Sequence, residues 1–203
     1  MNRQKPFCIA IVTLLLVTGV LTAGFCASGM MILDDTTSEK AVIVEKTVSY
    51  LKERKPGVSE DRIKIIANSV YDESKKFDLD YRLVLAIMKV ESNYKNEAVS
   101  RTGRGLMQIN PKSARAIARQ SGVEIKGTKC LHEPEKNIKL GVSYLSKLNN
   151  MFENIVSALH AYNAGPGKVH KPQDDQKAKT TSFTRKVMSE YERIAEVLPD
   201  PEE

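Results

Sequence analysis

The chain reads as mainly α-helical, and three observations carry that expectation. Apolar residues recur at three- and four-residue spacing in segment after segment. No stretch of useful length alternates with the period of two that marks a strand. Serine, aspartate, proline and glycine stand at the edges of the periodic segments, where helices start and stop.

The first element is apolar throughout. From Phe7 to Leu33 there are 27 residues without a charge, preceded by Arg3 and Lys5 and closed by Asp34 and Asp35. About 20 apolar residues suffice to cross a bilayer as a helix. The positive-inside rule then leaves the short N-terminus in the cytoplasm and exports the rest. A cleaved signal peptide is the alternative, with Ala27-Ser28-Gly29 as the small residues of a cleavage site. Its apolar core would be longer than the roughly 7–15 residues usual for such signals. Residues 1–33 are therefore a signal anchor or a signal peptide, and a retained anchor would hold the inner membrane through residues 7–29. Both readings place the remainder in the cell envelope, on the periplasmic or extracytoplasmic face of the inner membrane.

Residues 34–58 read as an amphipathic spacer. Ala41, Val44, Val48 and Leu51 share one helical face, and Pro56-Gly57 stops it. The domain proper is expected over 59–203. Ser59 is an N-cap with Glu60 and Asp61 in the first turn, ahead of Ile63, Ile66, Ala67 and Val70. Asp80 caps a helix that runs to about Tyr94. A loop follows through Gly103 and Gly105, Pro111 opens a helix ended by Gly122, and Pro134 opens another carrying Ile138, Leu140, Val142, Tyr144, Leu145 and Leu148. Asn154–Tyr162 is the next helix, closed by Gly165 and Pro166. Phe183, Val187, Tyr191, Ala195 and Leu198 mark the last.

Composition narrows the function. The net charge is +6, which becomes +4 once Arg3 and Lys5 are set aside, and a basic surface attracts anionic envelope partners. Nucleic acid is a poor fit, because the chain has no Trp, only 6% aromatic residues and no Arg/Lys run interleaved with rings. Cys130 is the one cysteine beyond the apolar segment, so no intramolecular disulfide forms in the exported part. His132-Glu133 lacks a second histidine four residues on, and neither metal nor cofactor is indicated.

One residue breaks the apolar pattern. Val84, Ile87, Met88, Glu91 and Tyr94 share a helix face, so a carboxyl sits on a core-facing stripe. Such a group must be paired, hydrogen-bonded or kept protonated by its surroundings, and the last describes a general acid. Two further segments are unusual: Gly105-Leu106-Met107-Gln108 and Ala161-Tyr162-Asn163-Ala164-Gly165. No Asp or Glu occurs between Glu97 and Glu124, or between Glu153 and Asp174. If the three segments meet, Glu91 is their one acid. Most glycosidases flank the bond with two carboxyls, so a lone acid leaves the second role to the substrate.

Glu91-Ser92, Gly105–Gln108 and Ala161–Gly165 match, in order and spacing, the motifs of lytic transglycosylases with a soluble-lytic-transglycosylase (SLT) catalytic domain. Ala86–Tyr94, Asn110-Pro111 and Gly165–Val169 resemble that family as well, and the likeness runs from about Ser59 to Leu198. It implies a lysozyme-like helical fold with a groove for peptidoglycan glycan strands. Glu91 would protonate the oxygen joining N-acetylmuramic acid to N-acetylglucosamine, then take the proton of the sugar's C6 hydroxyl as a 1,6-anhydro ring closes. No water is consumed, which makes the reaction a lyase reaction. The resemblance gives substrate-binding roles to Ser92, Gly105, Met107, Gln108, Tyr162 and Asn163. Gly105 would let backbone approach the sugar, Met107 and Gln108 would line the groove, Tyr162 would hydrogen-bond Glu91, and Asn163 would hold an N-acetyl group. Lys171–Thr181 departs from the family, being polar and lysine-rich, with Phe183–Val187 where relatives carry a Tyr-Val pair. Two alternatives stay open: a water-using muramidase of goose-lysozyme type, and a catalytically silent glycan-binding module. A secretion or conjugation apparatus spanning the envelope is a further partner class that suits a short single-domain enzyme.

Overall fold

The computed structural model describes residues 32–55, 57–169 and 179–201. The expected membrane segment at 7–29 lies outside them, and among the described residues no helix is long and apolar enough to cross a membrane. Seven α-helices follow in order: α1 (Ile32–Arg54), α2 (Glu60–Lys76), α3 (Tyr81–Ser92), α4 (Pro111–Ser121), α5 (Pro134–Phe152), α6 (Ile155–Ala164) and α7 (Ser182–Ala195). Short 3₁₀ turns at Thr128–His132 and Pro166–Lys168 flank α5 and α6. Only isolated antiparallel bridges, Val99 with Arg104 and Arg104 with Ile109, represent strand pairing among the described residues.

The expected start and stop signals act largely as such. Asp80 accepts from the Arg82 backbone N–H at 2.8 Å, Asn110 caps α4 ahead of Pro111, and Asn154 caps α6. Gly122 ends α4 with a positive φ of 64°, a conformation that carries little cost for glycine. Ser59 precedes α2 with extended backbone but makes no side-chain cap bond.

At the centre lies α3. Tyr81 through Met88 are all buried, with Val84, Leu85, Ala86, Ile87 and Met88 wholly inaccessible. A helix apolar on every side belongs inside a domain, and α2 and α7 pack against this one. Truncating Ile87 or Met88 to alanine there would cost about 2–5 kcal/mol. The N-terminal end of α3 is tied down by charge. Arg82, only 7% exposed, bonds Asp80 and Asp200 at 2.8 Å each, while Tyr191 on α7 donates to Asp80 at 2.7 Å. The opposite end is therefore where the helix meets solvent, and it carries Glu91.

The helix expected to act as a spacer belongs to the core instead. α1 lies along α2, and Ile43, Val48, Tyr50 and Leu51 join the main cluster. Its buried stripe is also rotated from the expected one: Ala41 is exposed and Val44 half-buried, whereas Ile43 and Thr47 point inward. The buried stripe is the one that packs on α2, and it also carries Tyr50 to Tyr94 at the end of α3, edge to face at 6.4 Å between ring centres. In α7 the buried residues are Thr184, Val187 and Ile194, with Ala195 only partly covered.

Candidate active site

A cleft of about 480 Å³ opens at the C-terminal end of α3. Its walls come from the loop after α3, from α4, from Tyr144 on α5, and from the end of α6 with its 3₁₀ turn. Glu91 is the one carboxyl among the residues that line it. The side chain is partly buried, packed beyond the inaccessible Ile87 and Met88, and no described residue hydrogen-bonds it. Burial alone pushes its carboxyl from the ordinary 4.5 up to about 7, because an apolar wall penalises the ionised form. Glu91 is also the penultimate residue of α3, where the helix dipole disfavours negative charge. Lys95, one turn on, is exposed to solvent.

The loop after α3 is held by a residue the motif reading missed. Asn137, wholly buried near the start of α5, accepts from the Met107 backbone N–H at 2.7 Å. Its amide donates to the carbonyls of Arg104 at 2.9 Å and Leu131 at 2.7 Å. Oxygen and both N–H groups are thus used, as burial of an amide requires. A signal was available: Asn137 is a polar residue on the apolar Asn137, Gly141, Leu145, Leu148 face of α5, the same anomaly that singles out Glu91.

That anchoring changes what the tetrad Gly105–Gln108 does. Gly105 has φ of 76°, and a Cβ there would overlap the Leu131 carbonyl and the Asn137 amide. Its lack of a side chain serves this close packing, and it does not line the cleft as expected. Met107, expected in the groove, is wholly buried, and its sulfur occupies the space beside Gly141. Its backbone is clamped at both ends, the N–H by Asn137 and the carbonyl by the Tyr162 hydroxyl at 2.9 Å. Gln108 does line the cleft. It sits in the left-handed region at φ 49°, a conformation that costs a non-glycine residue about 1 kcal/mol or more. Its amide bonds the carbonyls of Gly105 at 2.9 Å and Ala98 at 3.2 Å.

The third motif also divides. Tyr162 and Asn163 line the cleft, Asn163 exposed and Tyr162 partly buried. Tyr162 does not bond Glu91: its hydroxyl proton goes to the Met107 carbonyl, and its ring leans on Tyr144 at 5.6 Å. Burial, then the nearby Glu91 carboxylate and Tyr144, push its hydroxyl well above the ordinary range, so it remains a neutral donor. Ser92 is buried and donates to the Met88 carbonyl at 3.0 Å. It steadies the last turn of α3 away from the cleft wall.

Two cations complete the lining, Arg101 and Lys168; Arg101 has no motif signal, and Lys168 stands in the family-like Gly165–Val169 segment without a role assigned to it. Chemically the cleft combines one protonatable group at near-neutral pH, polar amides and hydroxyls, and paired aromatic rings. That set can move a proton on a polar ligand.

Comparison with known proteins gives a consistent picture. Residues 68–183 match the family model described as the transglycosylase SLT domain. The chain is 35% identical over 135 residues to the soluble lytic murein transglycosylase of Salmonella typhimurium, which takes in 65% of this chain and 20% of that protein. It is 33% identical over 129 residues to membrane-bound lytic murein transglycosylase C of Salmonella arizonae, 58% of this chain and 36% of that protein. Among solved structures, the lytic transglycosylase Slt of Pseudomonas aeruginosa, in an inactive form with one glutamate exchanged for glutamine, aligns with a TM-score of 0.50 and 30% identity. That alignment covers 64% of this chain and 22% of that one. The chain thus spans well under half the length of these relatives.

Proposed function

The chain belongs to the transglycosylase SLT domain family, and from that premise we propose that it is an exported peptidoglycan lytic transglycosylase. It cleaves the β-1,4 bond between N-acetylmuramic acid and N-acetylglucosamine without water and leaves 1,6-anhydro ends. One observation carries the reading: Glu91 is the one carboxyl lining the cleft, and burial raises it to about 7. An acid so placed is protonated often enough to donate and ionised easily enough to accept.

Glu91 donates its proton to the glycosidic oxygen as the bond to the muramic C1 breaks and an oxocarbenium-like centre develops. The muramic N-acetyl group shields that centre. The C6 hydroxyl oxygen of the same sugar then bonds to C1, and its proton returns to Glu91. Product and enzyme end with the protons they began with, and no second carboxylate is required. Asn163 lines the cleft as a partner for an N-acetyl group, and Tyr144 and Tyr162 line it with aromatic surface. The inactive glutamate-to-glutamine form of the Pseudomonas relative supports a mechanism that turns on one acid. A position in the cell envelope, with a membrane anchor ahead of the domain, accords with relatives that include membrane-bound enzymes by name.

Mass spectrometry of digested sacculi tests the reaction. Anhydromuramic ends are expected from the wild type, and no clearing in a zymogram from Glu91→Gln. Reducing ends would mark a hydrolysing muramidase, and equal clearing by both proteins would remove Glu91 from the chemistry.

A further inference from the structure

The cleft's charges are uneven. Arg101 comes from the loop after α3 and Lys168 from the 3₁₀ turn after α6, so separate segments deliver both to one lining. Both are exposed, and neither has an ion-pair partner among the described residues. Arg104, close by in sequence, behaves differently: its guanidinium donates to the carbonyls of Ser100 and Gly103 at 2.7 Å and serves the loop. The segments from Ala98 to Val123 and from Asn154 to Gln173 contain no acid, and the carboxyls that flank them in sequence are Glu97, Glu124, Glu153 and Asp174 with Asp175. Glu91, the one carboxyl in the lining, is largely neutral below pH 7.

A strand of N-acetylated sugars is itself uncharged and offers two cations hydrogen-bond acceptors but no counter-charge. The anionic groups of peptidoglycan hang from the lactyl arm of each muramic residue. They are the carboxylates of an attached stem peptide or, once that peptide is removed, the lactyl carboxylate itself. Resting on the transglycosylase reading, we propose that Arg101 and Lys168 form a carboxylate site that receives the anionic group on the muramic lactyl arm. They thereby make the enzyme selective for charged strands. The guanidinium can take a carboxylate through two parallel N–H bonds, and the ammonium supplies a point charge. Exposed ion pairs are individually weak, so the site tunes substrate choice and does not drive the reaction.

The test compares kcat/KM on three substrates: peptide-bearing strands, amidase-stripped strands with free lactyl carboxylates, and stripped strands capped as neutral methylamides. The wild type is expected to favour charged over capped strands by roughly three- to tenfold, mainly through KM, with the preference shrinking as salt rises. In the Arg101→Ala, Lys168→Ala double variant that ratio should fall towards one, and in the Arg101→Glu, Lys168→Glu variant it should invert. Preference for peptide-bearing strands alone assigns the contact to the stem; preference for both charged forms assigns it to the lactyl position. A wild type indifferent to charge, or a ratio the variants leave intact, overturns the carboxylate site while the transglycosylase reading stands. A folded wild type that cuts none of the three sinks the enzymatic reading and the site with it.

Discussion

The end of α3 and the start of α5 each put a polar side chain on an apolar face, and they treat it in opposite ways. Asn137 has every polar group bonded, to Met107, Arg104 and Leu131. Glu91 has no bond from any described residue and is pushed up to about 7 by burial. An amide satisfied on all sides fixes backbone and cannot change state. A carboxyl left unsatisfied at a cleft wall carries a free-energy cost, and in return its proton is mobile near neutral pH. The same sequence anomaly therefore has two meanings, and only the surrounding donors and acceptors tell them apart.

The strongest way to break this contrast is to neutralise each residue in turn. Glu91→Gln keeps shape and burial but removes the transferable proton, so turnover of peptidoglycan should fall about 10³-fold, measured by release of anhydromuropeptides, with the fold intact by circular dichroism. Asn137→Ala should do the reverse. It leaves the Met107 N–H and the Leu131 carbonyl without their partner, while the Arg104 carbonyl keeps the Ile109 N–H, at about 1–3 kcal/mol for such orphaned groups, and opens a small void. A loss of about 2–4 kcal/mol in a urea titration is expected. Activity should fall only as the folded fraction and the Met107 backbone suffer. If Glu91→Gln unfolds the protein or Asn137→Ala merely slows it, the assignment of roles is wrong.

A subtler measurement sharpens the contrast through pH. In the unfolded chain Glu91 ionises near its ordinary 4.5, and in the folded protein near 7. Below the lower value both states hold the proton and the group is neutral in its effect. Between the two values the unfolded state loses its proton first, so rising pH destabilises the fold, and the penalty levels off above 7. Its ceiling is about 3 kcal/mol. Glu91→Gln removes that penalty. The variant should be more stable than wild type at pH 7–8 by up to this amount, and the difference should vanish near pH 4. Thermal melts of both proteins across that range check the sign. Wild-type kcat/KM should decline on the alkaline side of about pH 7, as the free enzyme loses the proton it must donate.

Legibility in the sequence follows the same division. The caps at Asp80 and Asn110, the stops at Gly122 and Gly165, and the inward faces of α2 and α5 are local chemistry, and they are readable as such. Glu91 is readable because its face is repetitive enough for a charge to stand out. What escaped depends on contacts distant in sequence. α1 looks like a free spacer until α2 covers it, and its inward face is set by that packing and by Tyr50 meeting Tyr94. Met107 looks like a groove residue until Asn137, 30 positions on, takes its N–H. Gly105 looks like a place for a sugar to approach until the space beside it proves to be filled by Leu131 and Asn137. Arg101 and Lys168 belong to no periodic pattern, and only the closure of the cleft brings them to the same wall.

The smallest expected effect is the one that assigns Tyr162 to one side of the contrast. From the motif its hydroxyl belongs with Glu91; in the structure it donates to the Met107 carbonyl at 2.9 Å. Tyr162→Phe keeps the ring against Tyr144 and removes only that bond, so stability should drop by about 1 kcal/mol. A carbonyl that loses one donor is a milder defect than the several broken at Asn137. Turnover should fall a few-fold, because the Met107–Gln108 backbone loses one of its two clamps. The discriminating readout is the alkaline limb of the pH profile. Burial is the cause of Glu91's raised value, and the phenol contributes no bond to it, so the limb should stay where it is. A limb that moves would put the hydroxyl on Glu91 after all, and Tyr162 would then belong with the chemistry and not with the scaffold that holds it.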